Sequence, residues 1–185
     1  SFSVFLPTVF MSTNDQVPTP ASRLTEAIDN HRATIGVAGL GYVGLPLAVE
    51  YAAAGFNAIG VEPNETRTAK LNDGVNYIDD LDDAQVASLV EQGRLRAATD
   101  YSDAGDVDIF FLCVPTPVTE HKEPDTTYIE AATRSIAEHL RPGQLIILKS
   151  TTYPDTTEGV VQPILEEAAA EKGLTLGEDY FLAFS

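Results

Sequence analysis

Apolar residues along this chain follow two alternating patterns. Short, nearly continuous apolar runs read as strands: Ala33 to Ala38, Asn57 to Val61, Leu95 to Ala98, Val107 to Val114, Gln144 to Leu148 and Tyr180 to Phe184. Between them, apolar residues recur at helical spacing. Tyr42 to Ala54 carries Leu45, Ala48, Val49 and Ala52 on one face, and Ala84 to Gln92 carries Val86, Leu89 and Val90. Tyr128 to Leu140 presents Ile129, Ala132, Ile136 and Leu140, and Thr157 to Glu171 presents Val160, Val161, Ile164, Leu165 and Ala168. Asn64 is a candidate cap for a helix running to about Leu71, and Thr127 with Glu130 reads as a capping box for the helix at Tyr128. Gly55, Gly74, Gly93, Pro142-Gly143 and Gly173 punctuate the pattern, while Pro46 falls in a first helical turn, where a missing N–H costs nothing. Strands alternating with helices predict an α/β fold, a doubly wound parallel sheet with helices on both faces. Residues 11–30, rich in Ser, Thr, Pro, Asn and Asp, read mostly as a leader in which Leu24, Ala27 and Ile28 suggest a short helix. The expected division is therefore a flexible extension over 1–30 and one domain over 31–185.

Ligands of such sheets sit outside the C-terminal strand ends. That rule selects the loops Gly39–Gly44, Glu62–Arg67, Pro115–Pro117 and Lys149–Tyr153. The first has a strand before it, a helix after it and the spacing Gly39-x-Gly41-x-x-Gly44. In a Rossmann-type fold the first glycine permits the turn, the second admits a pyrophosphate near the backbone, and the third lets helix pack on strand. The phosphates would meet the N–H groups and the positive dipole end of the helix. Glu62 follows 21 residues after Gly41, where a carboxylate accepts both adenosine ribose hydroxyls and repels a 2′-phosphate, favouring NAD over NADP. Arg67 is placed either to reach the ribose or a phosphate or to pair with Glu62, and its presence keeps a minor NADP reading open. Thr116, between two prolines, either meets the cofactor or forms a plain turn. Ser150 and Thr151 offer hydroxyls that either hold a water or substrate oxygen or cap the next helix. His31, His121 and His139 share no metal-ligand spacing and read as surface residues.

Composition narrows the partners. With 28 acidic against 11 basic residues the formal net charge is -17, so nucleic-acid phosphate and anionic membrane surfaces are poor partners. The plain reading is a solvated acidic surface. A sharper one is adaptation to salt, since such charge repels itself until counterions screen it. The melting temperature is then expected to rise with KCl, and no stabilisation in molar salt would rule out that adaptation. The single cysteine, Cys113, excludes an internal disulfide and suits a reducing, cytoplasmic setting; inside an apolar run it reads as a buried small hydrophobe. No run approaches the ~18 apolar residues of a membrane span, and the first ten residues lack the basic start of a signal peptide. Ser1 to Phe10, ahead of the only methionine, Met11, read as an upstream remnant, and the strand at Tyr180 stops without a cap, so a fragment is expected.

Four segments in order and spacing, Gly39-Leu-Gly-Tyr-Val-Gly-Leu-Pro46, Val114-Pro-Thr-Pro117, Lys122-Glu-Pro-Asp125 and Lys149-Ser-Thr151 with Thr156-Thr-Glu158, resemble the UDP-glucose/GDP-mannose dehydrogenase family. The Lys-Glu-Pro-Asp and Ser-Thr-Thr-Tyr-Pro segments look most like its UDP-N-acetylglucosamine and UDP-N-acetylmannosamine 6-dehydrogenase branch. The resemblance covers about Ala33 to Ser185. It implies oxidation of a nucleotide-sugar C6 alcohol to a carboxylate with two NAD, through a thiohemiacetal and a thioester on a cysteine. By that likeness Gly39, Leu40, Gly41, Tyr42, Val43, Gly44, Leu45, Glu62, Arg67, Thr116 and Thr151 contact NAD, and Thr151 also positions the catalytic water. Two positions depart from the family: Glu62 stands where Asp is common, and Asp155 where Gly is common. The family's nucleophilic cysteine, lysine and aspartate belong to a central domain beyond Ser185, so the expectation is that this chain binds NAD without turnover. A homodimer or higher oligomer is implied for the full-length protein, with a UDP-sugar as its substrate. Two other readings remain at this point. A 3-hydroxyacid or 6-phosphogluconate-type dehydrogenase shares the Gly-Leu-Gly start, though it tends to carry Met at the position of Val43. A NAD-sensing regulatory domain would need the glycines and Glu62 alone.

Overall fold

A computed structural model describes residues 17–117, 125–150 and 156–185. Its six strands, β1 (Thr34–Ala38), β2 (Asn57–Val61), β3 (Leu95–Ala98), β4 (Ile109–Leu112), β5 (Leu145–Leu148) and β6 (Phe181–Phe184), form one parallel sheet in the order β3-β2-β1-β4-β5-β6. The helices are α1 (Pro20–Asp29), α2 (Gly44–Ala53), α3 (Glu65–Asn72), α4 (Asp83–Glu91), α5 (Thr127–Glu138) and α6 (Gln162–Lys172). The expected doubly wound α/β architecture is thus present.

Alternate residues of each strand feed two separate cores. Ile59, Val61, Phe110, Leu112, Ile146 and Leu148 pack with α5 and α6, while Ile35, Val37, Ala58, Leu95, Ile109 and Phe111 pack with α2 and α4. Both strand faces are therefore apolar, as a parallel sheet covered twice requires. Small residues make room for large neighbours: a Cβ on Gly36 of β1 would lie 2.6 Å from the Phe110 ring.

The winding direction reverses between β1 and β4. Successive strands run outward through β2 and β3 on one side, then through β5 and β6 on the other. Loops leaving β1 and β4 consequently diverge, and the crevice between them is the natural ligand site of this topology.

Several boundaries differ from the sequence pattern, each for a local reason. The short helix expected in the leader runs over Pro20–Asp29: Thr19 caps it by accepting from the Ser22 N–H at 3.1 Å, and Leu24 is buried against the α2 side of the sheet. The Thr127/Glu130 capping box does not form. Asp125 takes the Thr127 N–H at 2.9 Å, so Thr127 belongs to the first turn, while Thr126 is the cap residue and donates its hydroxyl to Glu130 at 2.9 Å. The final helix opens as a wider π turn over Thr157–Val161 before α6, where Pro163 has no N–H to continue a regular ladder. Gly173, at φ 66, ends it as the pattern indicates. Last, β4 is shorter than Val107 to Val114, so Cys113 lies just past its end.

Candidate functional site

The chain leaves β1 through Gly39, whose φ is 89 and whose N–H donates to the Val61 carbonyl at 2.9 Å. A side chain here would be strained, and its Cβ would come within 2.9 Å of the Cys113 carbonyl at the tip of β4. Gly44 is confined differently: a Cβ there would overlap the Gly39 carbonyl oxygen, so the first turn of α2 can sit on the loop only because Gly44 is bare. A Cβ on Gly41 would meet nothing within 4 Å among the described residues, and Gly41 lines open space instead. The three glycines therefore serve a turn, an open approach and a close packing contact, as their spacing predicts. Among the described residues no side chain caps α2 at Val43; in its first turn the Leu45 N–H donates to the Gly41 carbonyl at 3.1 Å and Pro46 has no N–H.

Glu62 leaves the end of β2 and is buried. Its Oε2 accepts from the Leu40 N–H at 3.2 Å and its Oε1 from the Asn64 N–H at 3.0 Å. A carboxylate offers about four acceptor positions, so capacity remains for a ligand hydroxyl. Asn64 caps α3 as expected, accepting from the Arg67 N–H at 3.1 Å. That cap sets Arg67 on the first turn, with its Nη1 3.7 Å from Glu62 Oε2. Of the two alternatives for Arg67, the pairing with Glu62 is present, and the side chain also lines the cleft.

The opposite wall comes from the tips of β4 and β5. Cys113, Val114, Pro115 and a half-buried Thr116 follow β4, while Lys149 and Ser150 follow β5 and Tyr128 enters from the start of α5. Together with the glycine loop, Glu62 and Arg67 they enclose a cleft of about 690 Å³, a size suited to an organic ligand. Ser150 does not present a free hydroxyl to it. Its Oγ lies 3.1 Å from the Leu112 carbonyl and 2.8 Å from the Val114 carbonyl, and it fastens the two strand tips together.

Cys113 is half-buried on the cleft wall rather than enclosed within a strand. Burial pushes its thiol up to about 11, with the nearby Lys149 charge opposing. It is a protonated, weakly nucleophilic thiol at neutral pH.

Of the residues expected at the site, Gly39, Gly41, Tyr42, Val43, Glu62, Arg67 and Thr116 line the cleft. Leu40, Gly44 and Leu45 are buried behind it, Leu40 sitting over Gly60 of β2. Thr151 lies outside the described residues, as do His121 and most of the Lys122–Asp125 segment. His31 is exposed beside the Phe56 ring, with centroids 4.7 Å apart, and His139 ends α5. Among the described residues no group of three His, Cys, Asp or Glu side chains is placed to hold a metal, and no helix is long and apolar enough to cross a membrane.

Two tyrosines, Tyr128 on the cleft wall and Tyr77 bonded to the glycine turn, carry no signal in the sequence. Tyr128 stands at a helix start whose residues speak only for a cap. Tyr77 lies in the non-periodic loop between α3 and α4, and nothing in its neighbours indicates that its hydroxyl reaches the Leu40 carbonyl at 3.0 Å.

Residues 33–183 match the model of the UDP-glucose/GDP-mannose dehydrogenase family, NAD binding domain. The chain is 38% identical over 151 residues to the UDP-N-acetyl-D-glucosamine 6-dehydrogenase of Pseudomonas aeruginosa, covering 82% of this chain and 34% of that protein. It is 42% identical over 135 residues to the UDP-N-acetyl-D-mannosamine dehydrogenase of Escherichia coli (strain K12), covering 72% and 31%. Among solved structures it resembles the GDP-mannose dehydrogenase from Pseudomonas aeruginosa, seen as a ternary complex, with a TM-score of 0.74 and 32% identity over 80% of this chain and 34% of that one. The chain spans about a third of the length of the curated relatives it matches. A glycine turn, a buried acid at the tip of β2 and an uncapped α2 meet at the sheet's reversal point, and the sequence match covers the same residues: the chain belongs to the UDP-glucose/GDP-mannose dehydrogenase family, as its NAD-binding domain.

Proposed function

We propose that this domain holds NAD for a nucleotide-sugar 6-dehydrogenase that converts the C6 alcohol of a UDP-N-acetylhexosamine to a carboxylate. The observation that carries the reading is Glu62. It is buried at the cleft, tied to the Leu40 N–H of the glycine turn and paired with Arg67, with acceptor positions to spare. That arrangement suits an adenosine ribose with both hydroxyls free. The open space at Gly41 and the uncapped first turn of α2 suit a pyrophosphate, and both are properties of this chain's own backbone. Bound NAD supplies the hydride acceptor. The protein orients it: Glu62 and Arg67 hold the adenosine end, α2 the phosphates, and the Val114–Thr116 tip and Lys149 flank the remaining space. Thr151 is read as a further contact and as the residue that positions water. The choice of an N-acetylhexosamine rests on the names of the relatives, two of which are UDP-N-acetylhexosamine dehydrogenases.

In this family, by the resemblance, the oxidation needs a cysteine nucleophile. The only cysteine of these 185 residues is Cys113, whose thiol stays protonated at neutral pH. The chain is therefore expected to bind NAD in a calorimetric titration, yet to form no NADH when mixed with NAD and UDP-N-acetylglucosamine. Turnover by these residues alone would refute the assignment of chemistry elsewhere, and absence of NAD binding would refute the reading of the cleft.

A further inference from the structure

The geometry points to Tyr77 as a positioning residue of the cleft, one that keeps Arg67 against Glu62 and so makes the site selective for a dinucleotide with a free adenosine 2′-hydroxyl. The inference rests on the reading of this cleft as the NAD site.

Tyr77 occupies a loop that is itself firmly built. Asn76 accepts from the Ile78 N–H at 2.9 Å and donates to the Ile78 and Leu81 carbonyls at 2.8 and 3.0 Å, while the Ile78 side chain is buried. From this base the Tyr77 hydroxyl crosses 37 residues of sequence to donate to the Leu40 carbonyl at 3.0 Å. The Leu40 N–H is held from the other side by Glu62. Both polar groups of one residue in the glycine turn are thus pinned, one by the acid and one by the phenol. Burial, and then the Glu62 charge, push the phenol up to about 12 against the opposing effect of Arg67, so it remains a donor at any physiological pH.

The ring has a second task. The Arg67 guanidinium carbon lies 5.8 Å from its centroid, within cation–π range, on the side chain that also reaches Glu62. Arg67 is about half exposed, and a free arginine at the mouth of a nucleotide site would turn readily to a phosphate. Seated on Tyr77 and paired with Glu62, it is not available to welcome a 2′-phosphate. A tyrosine that only filled space would need neither contact.

The two tasks separate by substitution. Tyr77→Phe keeps the ring and removes the donor, so NAD and NADP should weaken together by roughly 2- to 10-fold with their ratio unchanged. Tyr77→Leu also unseats Arg67, so the ratio of the NADP to the NAD dissociation constant should fall by ~2- to 5-fold. Both are measured by calorimetry on the 185-residue chain, well below each variant's melting temperature. A purely structural tyrosine would lower the melting temperature and leave both affinities and their ratio in place, and that result overturns the assignment. If the Leu variant does not fold, the Phe variant decides: NAD affinity equal to that of the native chain overturns it. Absence of NAD binding by the native chain overturns the reading of the cleft and this assignment together, whereas native binding with an unmoved ratio in Tyr77→Leu overturns the assignment alone.

Discussion

Gly44→Ala should lower the melting temperature by roughly 6–12 °C, although adding a methyl group to a helical glycine ordinarily stabilises by about 0.5–1 kcal/mol. The reversal follows from what the methyl would meet. Its nearest neighbours are the Gly39 carbonyl oxygen, which it would overlap, and the Gly39 carbonyl carbon at 2.9 Å. Both are backbone, and Gly39 cannot yield because its own N–H is bonded to Val61 and its own Cβ position faces the Cys113 carbonyl. Overpacking against groups that cannot move costs about 3 kcal/mol. For a domain of this length each kcal/mol is worth ~2–4 °C. Because the same shift displaces Leu40 from Glu62, NAD affinity should fall as well. Gly41→Ala is the informative partner. It meets nothing within 4 Å, so its unfolding should match that of the native chain, while a methyl in the cleft should weaken NAD by about tenfold or more. Thermal unfolding by circular dichroism and an NAD titration test both. Equal melting temperatures for Gly44→Ala and the native chain would show that the close packing of α2 on its loop is not what Gly44 provides.

This contrast also shows which parts of the molecule can be read from residues alone. Strands β2 and β3 match their expected bounds residue by residue: β2 is buried from Ala58 to Val61 and gives way to Glu62, and β3 follows Arg94 and is buried at Leu95, Ala97 and Ala98, with Arg96 exposed. The glycine loop is legible as well, since three backbone demands require the same residue at fixed spacing. What the motif does not distinguish is packing from contact. Leu40, Gly44 and Leu45 obey the pattern yet lie behind the cleft, supporting the residues that line it. Contacts between segments distant in sequence are not legible. Tyr77 reaches Leu40 and Ser150 bonds across to Leu112 and Val114 through tertiary proximity that no local periodicity encodes. Cys113 falls outside its expected strand for a related reason. The apolar run continues through Val114, but the last regular strand pairing is Leu112 with Leu148, and the following residues turn to form the cleft wall. The helix after Thr126 begins one residue earlier than its capping pattern suggests, because Asp125 competes successfully for the Thr127 N–H.

Glu62→Gln should weaken NAD by about 10- to 100-fold and move the preference toward NADP by at least about tenfold. Two separate losses combine. The carboxylate uses one oxygen for the Leu40 N–H and the other for the Asn64 N–H. An amide has only one acceptor oxygen, so its NH₂ must face one of those donors, leaving a buried N–H unsatisfied at a cost of about 1–3 kcal/mol. Either choice disturbs the site: losing Leu40 loosens the glycine turn, and losing Asn64 loosens the residue that caps α3 and sets Arg67. The second loss is charge. Without the carboxylate 3.7 Å away, Arg67 has no acidic partner there, and the repulsion toward a 2′-phosphate disappears. The affinity loss itself comes from the ribose hydroxyl bond to a charged acceptor, worth about 1.5–3 kcal/mol, which at about 1.4 kcal/mol per tenfold gives the stated range for NAD. Glu62→Asp separates the two losses. It keeps the negative charge on a shorter arm, so NAD should still be preferred over NADP while the reach to both Leu40 and a ribose hydroxyl is compromised, giving a smaller loss of affinity. Dissociation constants for both dinucleotides, measured on the native chain and the two variants, decide the matter. Should Glu62→Gln lose thermal stability while its NADP to NAD ratio stays within about twofold of native, Glu62 would be a backbone anchor for the turn and not the residue that selects the cofactor.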